Sequence, residues 1–297
     1  MRANPAEYEL AAPGNLPAVL SLLAQEPGSW LPIAGGTDVM VVYASGKLAA
    51  RKLVSIWNLP ELRRIELLPA EIQIGGACTY TDLQEHEVIR REFPLLSLTG
   101  SWTGGIANQN RGTIGGNIAN ASPAGDSLPA LLAYDADLLL VSVRGDRRVP
   151  YRTFHVGYRK TQLAPDELIR AVCLPRRFST YYAYMRKVGT RNAQAIAKLS
   201  LAGLGLISDG KVNDGVIEDV RLAMGSVAPV PIRLTETEGV VKGKRVTPEL
   251  VQLAGKTAAA EIRPIDDIRS TAKYRAAVTG NLVGEFLNGL SASGRKR

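Results

Sequence analysis

The pattern of predicted elements changes once along this chain, near residue 180, and that change limits the folds open to it. Up to that point short strands alternate with helices, as in the helical leucine spacing over 16–24, the apolar strand over 52–56 and the buried strand over 136–143. Beyond it, the pattern predicts three long strands and then three helices, over residues 181–188, 195–208 and 216–227 and over 234–241, 248–262 and 271–290. Strands grouped apart from helices are typical of an α+β fold.

We therefore predict two domains. The first covers residues 1–177 and mixes strands with helices, and the second covers 178–291 and combines a three-stranded antiparallel sheet with helices. The last two strands of that sheet are expected to meet through a polar turn that contains Asp209–Gly210 and residues 213–215. The end of the chain, residues 292–297, is expected to be a disordered tail.

Local signals add detail to the first domain. Asn15 is a predicted N-cap for the helix over 16–24, and Thr81–Asp82 are predicted to begin a helix that continues to residue 91. Thr37–Asp38 have the side chains to cap a helix that runs through residue 43, and His155 is expected to lie in a loop. These signals predict where elements begin, which in turn decides which residues lie in loops.

Charge and hydropathy narrow the class of partner. The chain has 36 basic and 28 acidic residues, a formal net charge of +8, but the basic residues are scattered as pairs rather than placed along one aromatic-rich helix. This pattern favours an anionic ligand over a nucleic acid. No apolar run approaches the roughly 20 residues that a membrane span needs. The N-terminal residues lack the apolar stretch of a secretory signal, so a cytoplasmic location and no membrane span are expected.

The rarest residues argue against a metal site or a catalytic side chain in this chain. The two cysteines, Cys78 and Cys173, lie far apart in apolar, strand-like segments, and no Cys-x-x-Cys is present. The two histidines, His86 and His155, are not spaced as metal ligands. We therefore expect no metal and no catalytic residue here, and any chemistry is expected to come from a bound cofactor.

The first candidate binding motif spans residues 31–39. A short strand runs into Gly35–Gly36, and Thr37–Asp38 follow. Adjacent glycines lack the Cβ atoms that would block an anion, and they let successive backbone N–H groups turn towards it. A helix N-terminus behind them would add partial positive charge. The alternative is a tight strand-to-helix turn with no ligand.

The second candidate motif spans residues 111–126 and is rich in Gly, Asn, Ser and Thr. Such a segment offers many neutral donors, which can hold a diphosphate, while Asp126 could accept from the hydroxyls of a ribose or ribityl chain. The alternative is a polar Ω-loop without a ligand. Two loops of this kind in one domain favour a dinucleotide clamp.

The two motifs in this order carry a family resemblance. Ala34-Gly-Gly-Thr-Asp38 and Thr113-Ile-Gly-Gly-Asn117, with Ala-Ser-Pro-Ala-Gly-Asp126 downstream, resemble the FAD-binding medium subunit of the xanthine dehydrogenase and CO dehydrogenase (molybdenum hydroxylase) family. The similarity extends over nearly the whole chain. It implies a PCMH/vanillyl-alcohol-oxidase-like FAD-binding domain of two α/β subdomains, divided near 57–62, followed by the three-stranded sheet with its helices.

The same resemblance implies which residues contact FAD. They are Pro32, Ile33, Ala34, Gly35, Gly36, Thr37, Asp38, Val39, Thr103, Thr113, Ile114, Gly115, Gly116, Asn117, Asp126, Ile169 and Lys187. By position, Val39 would pack against the isoalloxazine ring, Asp126 would lie near the ribityl or pyrophosphate region, and Lys187 would tune the flavin or its acceptor. Thr103 stands where animal xanthine enzymes have an aromatic residue, so ring stacking is not carried over to it.

The implied function is electron transfer within a larger enzyme. A small partner subunit would hold two [2Fe–2S] clusters and a large one the molybdopterin, in a dimer of heterotrimers. Electrons would pass from those clusters through FAD on this chain to NAD⁺, O₂ or another acceptor. Two other interpretations stay open at this point: a stand-alone FAD-dependent oxidase, and a nucleotide-binding regulatory module without redox chemistry.

Overall fold

The computed structural model describes residues 4–191, 194–208 and 215–293. The predicted turn residues 209–214 and the tail residues 294–297 lie outside the described residues. Within these three ranges, no helix combines the length and the apolar character that crossing a bilayer requires.

The first unit is a small parallel sheet with two helices. Its elements are β1 (Glu9–Ala11), α1 (Leu16–Gln25), β2 (Trp30–Ile33), α2 (Val39–Ala44) and β3 (Lys52–Ser55). The strand order is β1-β3-β2, and both pairings are parallel. The Asn15 side chain accepts a hydrogen bond of 2.9 Å from the Ala18 N–H, which confirms the predicted N-cap of α1. Val19 and Leu23 of α1 are buried in one cluster with Trp30.

The second unit is built on a five-stranded antiparallel sheet of order β4-β5-β10-β6-β7. Its elements are β4 (Ile65–Leu67), β5 (Glu71–Gly75), α3 (Tyr80–Glu85), α4 (Glu87–Glu92), α5 (Pro94–Trp102), α6 (Ile106–Gln109), α7 (Ile114–Asn120), α8 (Leu128–Ala133), β6 (Asp137–Ser142), β7 (Gly145–Pro150), α9 (Tyr151–Phe154), β8 (His155–Gly157), β9 (Lys160–Thr161) and β10 (Leu168–Pro175).

Two predictions about this unit were wrong in detail. The single helix expected over 81–91 is two helices, because His86 has extended backbone between α3 and α4 and its Nδ1 accepts from the Ile89 N–H at 3.4 Å. The cap of α3 is Thr79, whose hydroxyl accepts from Asp82 N while the Asp82 carboxylate accepts from Thr79 N. His155 lies in the two-stranded β8–β9 hairpin rather than in a loop; burial lowers its pKa to about 4.

The third unit is an antiparallel sheet covered by helices. Its elements are β11 (Tyr182–Val188), β12 (Leu199–Ile207), β13 (Ile217–Gly225), β14 (Ile232–Arg233), α10 (Thr235–Val241), α11 (Pro248–Glu261) and α12 (Ala272–Ser293). The predicted three-stranded antiparallel sheet is confirmed and is extended by the two-residue β14. Phe286 of α12 packs against Gly203 so closely that a Cβ there would lie 2.6 Å from its ring. The α+β class is confirmed.

The largest hydrophobic core crosses the position where the second domain is predicted to begin. Met185 and Leu204 of the third unit are buried in the same cluster as Ile74, Leu131 and Val172 of the second. The second and third units are therefore packed as one body along this face, and the division at 177–178 stays a prediction.

Candidate functional site

An open cleft of about 920 Å³ lies where three distant segments of the chain meet. One wall comes from the segment between β2 and β3, and a second from the segment between the end of α5 and Asp126. The third wall comes from the turn between β8 and β9 and from residues 194–196. Most of the lining residues lie in loops or short helices. Many of them are Gly, Ala, Ser or Thr, so backbone atoms and small side chains form much of the cleft surface.

Most of the residues predicted from the family resemblance line this cleft. They are Pro32, Ala34, Gly35, Gly36, Thr37, Asp38, Val39, Thr103, Thr113, Gly116, Asn117 and Asp126. The other predicted residues stand behind it. Ile114 and Ile169 are buried in the main core, and Ile33 lies beneath Gly36, with its Cδ1 3.6 Å from where a Cβ on Gly36 would be. Gly115 and Lys187 do not line the cleft themselves. Gly115 lies in α7, which carries cleft-lining residues, and Lys187 contacts the cleft-lining Asp126.

The first glycine loop presents free backbone donors to the cleft. Within the described parts of the chain, the N–H groups of Gly35, Gly36 and Thr37 have no protein acceptor. Gly36 has a φ of +76°, a conformation that glycine adopts without strain. The expected side-chain cap is absent, because Asp38 has helical backbone (φ −95°, ψ −48°) and its carboxylate makes no capping hydrogen bond. The N–H groups of the loop that follows β2 are therefore available to a ligand.

The second glycine loop differs, because the first turn of α7 is already satisfied within the protein. Its N–H groups donate from Ile114 to Cys78 O (3.0 Å), from Gly115 to Gly76 O (2.8 Å), from Gly116 to Thr113 Oγ1 (3.1 Å) and from Asn117 to Thr113 O (3.0 Å). A Cβ on Gly115 would lie 2.5 Å from the Gly76 carbonyl oxygen, so this glycine permits close packing of α7 on the end of β5. Only side chains and the exposed Gly116 remain to face a ligand here.

Asn117 is the best-oriented side chain of the second loop. Its Oδ1 accepts a hydrogen bond of 2.9 Å from the Ser127 hydroxyl, which leaves its NH₂ group for the cleft. Ser127 lies in turn 3.3 Å from the buried Tyr80 hydroxyl, whose pKa is raised by burial. These hydrogen bonds engage the Asn117 oxygen, so the NH₂ group is the part of this cleft-lining side chain that is left to donate to a ligand.

Asp126 forms a buried ion pair in the cleft wall. Lys187 Nζ lies 2.7 Å from Asp126 Oδ2 and also donates to Trp102 O at 3.1 Å, and the two charged side chains are only 12% and 11% exposed. Burial raises the pKa of Asp126 to about 6, although the Lys187 ammonium opposes the shift. The second oxygen, Oδ1, is buried and has no hydrogen-bond partner among the residues that the structure describes. A buried acceptor without a donor is costly, so this oxygen fits a ligand hydroxyl.

Several residues that line the cleft were not predicted. Arg159 stands at the β8–β9 turn with a φ of +52°, and Ile196 is 67% exposed beside Gln194. Neither segment carries a motif, and both are brought to the cleft only by folding. Asn108, Asn120 and the buried Tyr80 also line it. The place of Asn108 and Asn120 beside or within the Gly/Asn-rich segment was a signal for those two, whereas Tyr80 lies well before that segment in the sequence and carried no such signal.

Neither cysteine lines the cleft, and the two are not joined by a disulfide. Cys78 and Cys173 are both buried free thiols, and burial raises the pKa of Cys78 to about 12 and that of Cys173 to about 11. Such thiols are poor nucleophiles and poor metal ligands. Across the residues that the structure describes, no group of His, Cys, Asp and Glu side chains is arranged to hold a metal ion.

Comparison with known proteins identifies relatives across the full length of the chain. Two family models match, the FAD binding domain in molybdopterin dehydrogenase over residues 6–177 and the CO dehydrogenase flavoprotein C-terminal domain over residues 182–290. The xanthine dehydrogenase FAD-binding subunit of Escherichia coli O157:H7 is 30% identical over 294 residues, which cover 98% of each chain. The carbon monoxide dehydrogenase medium chain of Hydrogenophaga pseudoflava is 28% identical, over 96% of this chain and 97% of that one.

The fold agrees with these relatives. A chain in the solved structure of carbon monoxide dehydrogenase from Hydrogenophaga pseudoflava, in a form that lacks the Mo-pyranopterin moiety of its cofactor, superposes with a TM-score of 0.91. It is 27% identical to this chain, and the superposition covers 98% of this chain and 99% of that one.

Proposed function

This chain belongs to the family of FAD-binding subunits of molybdopterin dehydrogenases, and from that membership we propose how it works. It is an oxidoreductase flavoprotein subunit with a FAD-binding domain over residues 6–177. We propose that it is the electron-transfer subunit of a multi-subunit molybdenum hydroxylase. FAD, when bound, would supply the redox chemistry of such a subunit, and the residues of this chain would hold and orient it.

The observation that carries this proposal is the pairing of unused donors with an unused acceptor in one cleft. Among the described residues, the N–H groups of Gly35, Gly36 and Thr37 have no acceptor and all three residues line the cleft, which suits an anion such as a pyrophosphate, because successive backbone amides in a glycine loop can donate to one anion. The unpaired Asp126 Oδ1 is suited to a sugar or ribityl hydroxyl. A ligand that carries both a diphosphate and hydroxyls satisfies both sets, and FAD is such a ligand.

The remaining residues are proposed to position the cofactor rather than to react. Asn117 would donate its amide to the phosphate region, and Val39 would offer an apolar surface to the ring system. Lys187 would act through Asp126, since its ammonium is already bound to that carboxylate and to Trp102 O. The predicted contacts of Ile33, Ile114, Gly115 and Ile169 would be supporting ones, made from behind the cleft wall.

The donor and the acceptor of electrons belong to this proposal as well. Relatives are named as medium chains or FAD subunits of carbon monoxide dehydrogenase, xanthine dehydrogenase and nicotinate dehydrogenase, which supports assembly with further subunits. We propose that [2Fe–2S] clusters in a small partner subunit supply the electrons, and that a large subunit holds the molybdopterin, in a dimer of heterotrimers. The acceptor would be NAD⁺, O₂ or another oxidant, in the cytoplasm.

Titration of the full chain with FAD tests the proposal. One equivalent is expected to bind, with quenched flavin fluorescence and a shifted visible spectrum, and a chain that takes up no flavin at saturation would refute it. Gly36→Ala is expected to weaken binding about tenfold or more, because a Cβ is strained at a φ of +76° and disturbs the free donors. Gly243→Ala is the matched control: its φ is also +76°, but no atom of the described residues lies within 4 Å of its Cβ position, and Gly243 is not among the residues that line the cleft.

Co-purification tests the partners. The chain isolated from its native source is expected to bring down a smaller and a larger polypeptide together with iron and molybdenum, and metal analysis of the complex checks this. Isolation as a metal-free homo-oligomer with full turnover of a simple reductant would instead support a stand-alone flavin oxidase.

A further inference from the structure

A stacked guanidinium lies directly behind the first glycine loop. The Cζ of Arg111 is 3.9 Å from the centre of the Trp57 ring, and a second guanidinium, that of Arg63, lies 4.6 Å from the same ring. Arg63 is neutralised by Asp82, with an N···O distance of 3.3 Å. Arg111 has no carboxylate within ion-pair distance among the described residues, and its Nε donates a long hydrogen bond (3.4 Å) to Gly35 O.

The backbone holds Arg111 and Gly35 together as well. A Cβ on Gly35 would lie 1.5 Å from the Arg111 carbonyl oxygen, so the absence of a side chain at Gly35 is what allows the approach. The Arg111 residue therefore contacts Gly35 through both its main chain and its side chain. Stacking on Trp57 limits the rotation of the guanidinium and keeps Nε facing the Gly35 carbonyl.

The contact between Arg111 and Gly35 O also sets the direction of the N–H on the other side of the Gly35–Gly36 peptide. The peptide bonds described by the structure are trans, and in a planar trans peptide the C=O and the following N–H point in opposite directions. With Gly35 O directed towards Arg111, the Gly36 N–H is directed away from it. That N–H has no acceptor in the described part of the chain, and Gly36 lines the cleft.

We propose that Arg111 is a positioning residue for the anion-binding loop. Its guanidinium, held on the Trp57 ring, orients and polarises the Gly35–Gly36 peptide so that the Gly36 N–H donates to the pyrophosphate of the ligand. The inference rests on the proposed function, because it takes the ligand to be a dinucleotide whose diphosphate occupies the first glycine loop. Arg111 is not needed as a direct ligand, and it does not line the cleft.

Four versions of the full chain test this: the wild type, Arg111→Met, Arg111→Lys and Arg63→Met. Arg111→Met keeps the aliphatic stem and is expected to weaken FAD binding about fivefold, because the contact that orients the Gly35–Gly36 peptide is lost and a hydrogen bond contributes about 1 kcal/mol net. Arg111→Lys keeps the charge and is expected to recover little, because an ammonium cannot both stack on Trp57 and donate as Nε does. Arg63→Met removes a guanidinium from the same ring without touching Gly35 and is expected to stay within twofold of the wild type.

A second readout separates positioning from a general loss of structure. The ³¹P resonances of bound FAD are expected to shift in Arg111→Met and to stay in place in Arg63→Met, while the thermal unfolding temperatures of both variants remain close to that of the wild type. Wild-type affinity in Arg111→Met, equal losses in both methionine variants, or wild-type affinity in Arg111→Lys would each overturn the inference. The last result would assign the effect to charge alone.

The proposed function can fail separately. A wild-type chain that binds no FAD would refute that function, and inorganic pyrophosphate then decides the inference. Broadening of its ³¹P signal is expected with the wild type and not with Arg111→Met. Equal broadening with both chains would overturn the role of Arg111 whatever the cofactor is.

Discussion

The two glycine loops resemble each other in sequence but use their glycines in different ways. In the first loop the N–H groups of residues 35–37 have no acceptor within the described chain, and in the second the first turn of α7 is fully hydrogen-bonded to protein oxygens. A Gly-Gly pair thus indicates only that some backbone approaches closely. Where the N–H groups point, towards a ligand or towards the protein, depends on the acceptors that the fold supplies.

The difference follows from where each loop stands. The first leaves the end of β2 in a small parallel sheet, and its Gly35 lies against the Arg111 backbone. The second begins helix α7, which packs closely against backbone atoms. Gly115 contacts the Gly76 carbonyl oxygen, and Gly76 in turn contacts the Ile169 carbonyl oxygen. The second loop therefore supports the cleft wall, whereas the first provides its backbone donors.

The largest effect is expected from Gly35→Ala. The new Cβ would overlap the Arg111 carbonyl oxygen, a backbone atom that cannot rotate away, so we expect a loss of about 3 kcal/mol or more in the free energy of unfolding together with loss of FAD binding. Denaturant unfolding and flavin titration measure the two effects. Gly239→Ala, which has open space around its Cβ position, is the control. A stable Gly35→Ala variant with wild-type affinity would contradict the close approach of the loops.

Gly115→Ala sharpens the comparison from the other loop. Its Cβ would meet the Gly76 backbone at 2.5 Å, which we expect to cost about 2 kcal/mol of stability after allowing for the better helix propensity of alanine. Because the amide of residue 115 already donates to Gly76 O, the FAD affinity of the folded fraction is expected to fall much less than in Gly36→Ala. Comparable losses of affinity in the two variants would remove the distinction between the loops.

The pH dependence of FAD binding probes the Asp126 carboxylate. A group with a pKa of about 6 is about nine-tenths protonated at pH 5, and a ligand hydroxyl that donates to it favours the ionised form. FAD affinity is therefore expected to rise about tenfold from pH 5 to pH 7. The folding stability of the chain without FAD is expected to change with pH in the opposite direction. The raised pKa of Asp126 contributes stability that is fully present below pH 3.8 and is lost as the pH rises through about 6.

Two variants test whether the pH dependence of FAD binding arises from Asp126. Asp126→Asn is expected to flatten it, whereas Asp38→Asn, which changes an exposed carboxylate of the same cleft, is expected to leave it in place. Isothermal titration at several pH values checks both. A pH slope that survives in Asp126→Asn would show that another group controls it.

The smallest effect is expected from Thr113→Ala. The Thr113 hydroxyl caps α7 by accepting from Gly116 N, and its loss is expected to cost about 1 kcal/mol of stability. The freed Gly116 N–H then faces the cleft as an additional donor, so FAD affinity is expected to hold or to rise slightly. Thermal unfolding with and without FAD measures this, and Thr247→Ala, which removes the cap of α11 far from the cleft, is the control.

Local patterns were sufficient for much of the fold. The structure has the three long strands and the three later helices that were predicted for the third unit, and the predicted Asn15 cap of α1. These features were predictable because alternation and capping chemistry act over a few residues. The split of the helix over 81–91 was missed because its cause is a capping histidine, His86, which sequence patterns seldom mark as a helix start. The β8–β9 hairpin was missed because its strands are too short to show alternation.

The sequence by itself determined the α+β class, the family and the two segments that form most of the cleft, since periodicity and glycine spacing are written locally. Only the tertiary structure decided which N–H groups remain free, which oxygen of Asp126 is left unpaired, and that Arg159 and Ile196 reach the same cleft. The physical reason is that each of these outcomes depends on a partner far away in the chain. Whether such a partner is present is settled by packing, and no local pattern encodes it.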